Sequence, residues 1–251
     1  MWQTFILNKF DEGKMYTNKN ALKEKERLDG ISLNKNLSEW EKDEKDTMKI
    51  SSLNCRSLKK HHEDIITDPL LLNSDFICLQ ETWLEEDIDN TLDYEIPGFS
   101  LHLNSHGKGK GIAIYFKKDI FKHEIDIKEE NMQLSKFSSS VINIVGLYRS
   151  QNGHQDKLRK HLEELTKGQK PELVIGDFNF CSMASSSNQT KKFFQVNEFT
   201  QLIREPTHNE GNLLDQAHIR DTNRLLGYSA ELHSKYYSDH KALAILVRIG
   251  K

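Results

Sequence analysis

Six short apolar runs in this chain end on, or contain, groups that could handle a metal ion or a phosphate. MKISSLN delivers Asn54, DFICLQE delivers Gln80 and Glu81, and VINIVGLYR delivers Tyr148 and Arg149. LVIGDFNF delivers Asp177 and Asn179, NLLDQAHI holds Asp215 inside an apolar stretch, and YYSDHK sets Asp239 and His240 just before KALAILVRI. Carboxylates, an amide, a tyrosine and a histidine held by rigid strands at one rim would make a preorganised site for a hard cation and a phosphate. Taken singly, most of these pieces have a plainer reading. GDFN is turn-like, because Gly, Asp and Asn favour turns, and Gln80-Glu81 suits a solvated strand end. Asp215 is harder to dismiss, since an unpaired carboxylate within an apolar strand is costly. The functional reading rests on the set and its order.

The elements that must position these residues follow from periodicity. A β-prone run begins at Met48. SLKKHHEDIITDPLLLNS has helical spacing, with Pro69 as its expected end. DFICLQ is a short buried strand, and FSLHLNSHGKGKGIAIYF is a hairpin around a glycine-lysine turn. SSSVINIVGLY and LVIGDFN are strands separated by a helix, DKLRKHLEELTKG, for which Gly168 suits the C-cap. KKFFQVNEFTQLI is a second amphipathic helix, and NLLDQAHI and KALAILVRI are the last clear strands. Strands with a few helices among them predict two mixed sheets with helices outside.

Residues 1–47 differ from the rest. ALKEKERLDG and NLSEWEKDEKDT alternate charges with little apolar periodicity, so this segment is expected to be a helical or disordered extension, with one domain over 48–251. The chain has 251 residues, 36% hydrophobic and 29% charged, which is enough to bury a sizeable core. The net charge of −3 argues against a broad basic surface, while leaving room for local lysines such as Lys108 and Lys110. No apolar run approaches the roughly 18 residues that span a bilayer. Three cysteines without paired spacing, and an N-terminus without a basic lead, predict reduced thiols in a nuclear or cytoplasmic protein that is not secreted.

The order Asn54, Gln80-Glu81, Tyr148, GDFN at 176–179, Asp215 after two leucines and SDH at 238–240 resembles the endonuclease/exonuclease/phosphatase superfamily, the DNase I-like proteins. SSLNCRSL, DFICLQETWL, GKGIAIYFK, GLYRS, FTQLIREPTHNEGNLLDQ and YYSDHKAL are similar to the endonuclease domains of mobile elements, of the non-LTR retrotransposon or helicase-linked type. The resemblance implies a four-layer α/β/β/α sandwich and a Mg²⁺-dependent endonuclease (Mn²⁺ as a substitute) that nicks one DNA strand to leave a 3′-hydroxyl and a 5′-phosphate. It implies that Glu81 holds the ion with Asn54 and Asp239, and that Asp177 orients or deprotonates the attacking water. Asn179, His240 and Tyr148 would contact the phosphate, and Asp215 would fix the His240 ring. Arg149, Lys108 and Lys110 would touch the substrate backbone. Whether Asp177 or His240 is the base stays open, as does one metal or two. The implied partners are DNA and a larger mobile-element polyprotein with a helicase or reverse transcriptase. Two other readings remain: a same-fold phosphodiesterase or phosphatase acting on RNA, a phosphoinositide or a protein–DNA adduct, and a catalytically silent nucleic-acid-binding derivative. Two departures stand out. Ser150 to Gly153 replace the prolines common after Tyr-Arg in retrotransposon members, and no aromatic precedes Asp215, where abasic endonucleases carry one.

Overall fold

Successive strand residues leave opposite faces. In β1, Thr47–Asn54, the residues Met48, Ile50, Ser52 and Asn54 therefore share one face, and Lys49, Ser51 and Leu53 the other. Ile50 and Leu53 are both fully buried, so both faces of this strand are covered. The computed structural model describes Trp40 and residues 46–107, 109–180 and 189–249. After β1 come α1 (Leu58–Ile65), α2 (Pro69–Leu72), β2 (Phe76–Gln80), β3 (Ser100–Asn104) and β4 (Ile112–Phe116). Then follow β5 (Lys122–Glu129), β6 (Met132–Ser138), β7 (Asn143–Arg149), α3 (Gln155–Leu165), β8 (Glu172–Asp177), α4 (Gln189–Val196), β9 (Thr200–Gln201), β10 (Asp215–Arg220), β11 (Leu225–His233) and β12 (Ala242–Ile249).

The strands form two six-stranded mixed sheets, ordered β11-β12-β1-β2-β4-β3 and β5-β6-β7-β8-β10-β9. Each sheet has one parallel pair near its centre, β1 with β2 and β7 with β8. Inward residues such as Ile50, Phe76, Ile114, Ile144, Ile175 and Ile245 make the core between the sheets. Outward residues of the first sheet pack under α1 and α2, and those of the second under α3 and α4. This is the four-layer α/β/β/α sandwich that the resemblance implies, with the mixed sheets and outer helices that the periodicity predicts. Cys55 and Cys78 are free and buried, and burial pushes both thiols up to about 12; Cys181 lies outside the described residues. No helix among the described residues is long and apolar enough to cross a membrane.

Several local expectations change. Pro69 starts α2 rather than ending α1: it sits in the first turn, where its missing N–H is no loss, and the Asp68 carboxylate accepts from Leu70 N at 3.0 Å. The third helix is closed by Thr166, whose backbone N–H and hydroxyl both reach Leu162 O, and not by Gly168. The fourth helix stops at Val196, ahead of a left-handed Glu198 (φ 60°), and its expected last turn becomes β9. Sequence periodicity missed β5, β6 and β11. The outer strands β5 and β11 are edge strands with many exposed, charged positions, which blunts edge pairing and also erases the alternation that reveals a strand.

Of the sequence-defined extension, Trp40 is described and is only 4% exposed. It packs into the cluster with Ile65, Leu70 and Leu71, donates Nε1–H to Leu70 O at 3.2 Å, and its carbonyl accepts from Asn73 Nδ2 at 3.0 Å. Trp40→Ala should cost about 3 kcal/mol, a fall of roughly 6–12 °C in the melting temperature of a domain this size. Paired thermal melts of parent and variant check this.

Candidate active site

The face alternation that builds the core also aims the site. Asn54, Tyr148 and Asp177 close their strands and Asp215 opens its own, all on faces that carry the apolar residues packed between the sheets. In the second sheet Asp177 sits beside Tyr148 on one side and Asp215 on the other. The two sheets meet here: Asn54 Nδ2 donates to Asp177 Oδ2 at 2.9 Å. β7 and β8 approach very closely just before this point. A side chain on Gly176 (φ +147°) would place its Cβ 1.9 Å from Leu147 O, so only glycine fits ahead of Asp177. The segment Asp177 to Asn179 is a turn, with Asn179 (φ 50°) donating its backbone N–H to Asp177 Oδ1 at 2.8 Å and Nδ2 to Oδ2 at 3.2 Å. The turn reading of GDFN is therefore compatible with Asp177 facing the point where the sheets meet.

Asp215 accepts from His240 Nδ1 at 2.7 Å, which leaves Nε2 as the ring's outer nitrogen. Thr207 Oγ1 accepts from the backbone N–H groups of Leu214 and Asp215 at 3.1 and 3.0 Å, fixing the start of β10. Burial, reinforced by the Asp215 charge, pushes the Asp177 carboxyl up to about 7 against the pull of His240, Asn54 and the Asn179 amide. Burial alone would pull the His240 ring down, but the Asp215 hydrogen bond and the Asp215, Asp177 and Asp239 charges outweigh it and lift the ring to about 9. Tyr148 is raised by burial, then by the Glu81 and Asp177 charges, so its phenol stays a donor. Near neutral pH the site thus offers a carboxyl poised at neutrality beside a protonated imidazole.

The family model described as Endonuclease/Exonuclease/phosphatase family matches residues 51–240. The chain belongs to the endonuclease/exonuclease/phosphatase family. No curated protein sequence matches it at a significant level. An AP endonuclease from Archaeoglobus fulgidus superposes with TM-score 0.64 at 16% identity, over 80% of this chain and 99% of that one. The endonuclease domain of TRAS1, a telomere-specific non-LTR retrotransposon, gives 0.61 at 14%, over 82% and 100%. A mannosyl-6-phosphatase from Bacteroides thetaiotaomicron gives 0.58 at 14%, over 80% and 99%. At these identities the likeness is one of fold. The family consists of phosphodiesterases and phosphatases and generally uses divalent metals.

The donor set suits such an ion. Glu81 follows β2 in a left-handed conformation (φ 51°), and its carboxylate has no hydrogen-bond partner among the described residues. Asp239 pairs with Arg56 through Oδ2 and approaches His208 Nε2 at 3.4 Å, while its buried Oδ1 has no hydrogen-bond partner. Asn54 adds an amide oxygen that, among the described residues, accepts from Arg56 N at 3.1 Å. Carboxylate and amide oxygens of this kind are the donors a hard divalent cation takes, and two further groups, His208–Asp239–His240 and Asp177–Asp215–His240, also bring ligand atoms together here.

The three basic candidates fare differently. Strand alternation turns Tyr148 inward and Arg149 outward. Arg149 Nη1 donates to Phe178 O at 2.6 Å and Asn179 O at 3.3 Å, and Nε donates to Gly153 O at 2.9 Å. Its guanidinium also lies 5.6 Å from the Phe180 ring centroid. Arg149 is thus committed to the backbone of the DFNF turn, which it holds against β7. Lys110 Nζ donates to Glu130 O at 2.6 Å, and Lys108 lies outside the described residues. The sequence missed Arg56 and His208. The His208 ring stands edge-on to His240 at 4.7 Å, on a loop whose Asn209 N–H donates to Asp239 O at 3.0 Å. The only sequence signal was the nearness of THNEGN to Asp215.

Proposed function

We propose that this chain is a Mg²⁺-dependent phosphodiesterase that nicks DNA, of the kind found in mobile elements. The observation that supports it most is the buried row Asn54–Asp177–Asp215–His240, drawn from both sheets and flanked by Glu81 and Asp239. In this reading Glu81, Asn54 and Asp239 hold the cation, which when bound neutralises charge on the phosphate and the leaving oxygen. Asp177, poised near 7, takes the proton of the attacking water while Asn179 orients it. His240, protonated and fixed by Asp215, donates Nε2–H to a non-bridging phosphate oxygen, and Tyr148 donates its hydroxyl. Water adds to phosphorus, the bond to the 3′ oxygen breaks, and that oxygen takes a proton from solvent. The products are a 3′-hydroxyl and a 5′-phosphate. Asp177 is the base and His240 the donor because Asp215, bonded to Nδ1 at 2.7 Å, holds the imidazole in its protonated form with Nε2–H outward.

DNA as the substrate is supported by the fold shared with the AP endonuclease and the TRAS1 endonuclease domain. Trp83 adds to this. It lies two residues past Glu81 in a left-handed conformation (φ 59°), is 38% exposed, and is held by its backbone N–H, which donates to Lys110 O at 3.3 Å. An exposed indole beside the cation ligands can stack on a base. The test is a substrate panel at fixed Mg²⁺: supercoiled plasmid, single-stranded RNA, a 5′-tyrosyl oligonucleotide and a hexose 6-phosphate. The plasmid should be nicked fastest, with a rate that falls as salt rises, because the net charge of −3 leaves binding to a few local phosphate contacts that salt weakens. Faster turnover of any other member would replace DNA as the substrate.

A further inference from the structure

A second cluster of ligand-type side chains lies at one lateral edge of the sandwich, on none of the residues placed at the candidate active site. His102 is on β3, the edge strand of the first sheet, and His123 and Asp126 are on β5, the edge strand of the second. His102 Nε2 is 3.0 Å from both Asp126 oxygens, and His123 Nε2 is 3.1 Å from Oδ1. The two imidazoles stack at 4.0 Å, and both stand edge-on to the Phe137 ring at 5.6 and 5.2 Å. Ser135 Oγ donates to Asp126 Oδ1 at 2.5 Å and orients the carboxylate.

Regular strand geometry would not produce this. Residues three apart in a strand point to opposite faces, so His123 and Asp126 should diverge. The register of β5 against β6 shifts between His123 and Ile125, and this bulge brings both side chains to one side, as bulges beside functional groups do. Two imidazole nitrogens and a carboxylate oxygen converge within 4.8 Å of one another. Tetrahedral Zn²⁺ takes donors at about 2.0–2.2 Å, a span these atoms can meet by side-chain adjustment alone. The side chains are 22%, 33% and 30% exposed, which lets an ion enter and leaves room for a water as fourth ligand. Mixed imidazole and carboxylate donors favour a late transition metal over Mg²⁺, which prefers oxygen.

We propose that His102, His123 and Asp126 form a Zn²⁺-class metal site that ties the edge of one sheet to the edge of the other. The ion would sit over two strand edges where Asn104 already bridges the sheets through Ile127 O and Leu134 O. The test is a Zn²⁺ titration in millimolar Mg²⁺, by calorimetry and by thermal melts, on the parent, His102→Gln and His123→Ala. His102→Gln retains a donor to Asp126 and removes the metal ligand, so it separates metal loss from misfolding. Because His208, Asp239 and His240 can also attract Zn²⁺, the quantity read is the difference between parent and variants. The parent should bind one more equivalent than either variant, with affinity at that site falling at least about a hundredfold. Its melting temperature should rise with Zn²⁺ more than theirs, and Mg²⁺-dependent activity should be unchanged in both. Equal stoichiometry and equal Zn²⁺ response in parent and folded variants would overturn the site, as would a parent that binds no Zn²⁺.

Discussion

Asp177→Asn should lower kcat on DNA about a thousandfold and leave a folded protein. The carboxyl is fully buried at the meeting point of the two sheets, with Asn54 Nδ2, Asn179 N and Asn179 Nδ2 all directed at it. An amide keeps the size but cannot take a proton from water, and loss of a positioned base costs typically 10²–10⁴-fold. Stability gives an independent reading. The folded carboxyl titrates at about 7, above its ordinary 3.8. Its contribution to stability is therefore fully present below about pH 4 and is lost as pH rises through 7. The asparagine variant has no such loss, so its melting temperature relative to the parent should climb by several degrees between pH 5 and pH 8. A variant that cuts like the parent would move the base elsewhere, and a pH-independent difference in melting temperature would show that Asp177 is not shifted.

Asp215→Asn and His240→Ala should each cost on the order of 10²- to 10³-fold, and the double variant no more than His240→Ala alone. The two residues act as one unit through the 2.7 Å hydrogen bond, and groups that act as a unit do not add. The pH profile distinguishes this from a packing defect. In the parent, kcat/KM should form a bell whose alkaline limb lies near pH 9, where His240 loses its proton. The acid limb belongs to Asp177 and lies at or below 7, since a cation bound at Glu81 favours the ionised carboxylate. Removing the Asp215 charge takes away the strongest influence that raises His240, so the alkaline limb should fall toward the ordinary histidine range, about 6.5. The same shift fixes the sign for stability: the His240 contribution is complete below about 6.5 and is lost as pH rises through 9.

The strand ends were legible because an apolar strand that finishes on Asn54 or Asp177 breaks its own pattern. The order of those breaks identified the fold. Alternation also held the answer for Arg149, since Tyr148 and Arg149 cannot face the same way. What no local pattern holds is pairing at long range. Arg56 and Asp239 are far apart in the chain and meet only once β12 is paired with β1. Trp40 stands alone in a charged run, where nothing marks it as the residue that docks on Leu70. The His102–His123–Asp126 cluster depends on a bulge in the edge strand β5 and on the edge strand β3 of the other sheet lying beside it, and edge strands carry the weakest sequence signal. Pro69 and Gly168 depart from expectation for another reason: each residue type suits more than one helix position, and Asp68 and Thr166 decide the choice.

The central claim is that the row from Asn54 to His240 hydrolyses phosphodiester bonds in DNA. End-mapping of an end-labelled duplex under single-turnover conditions, with protein in excess and Mg²⁺ present, tests it most directly. The account predicts cuts that leave a 3′-hydroxyl and a 5′-phosphate, absent with EDTA and absent in Glu81→Gln, whose amide is a weak ligand for a hard cation. An intact duplex in the presence of folded protein and Mg²⁺, or cuts that leave a 3′-phosphate, would contradict it.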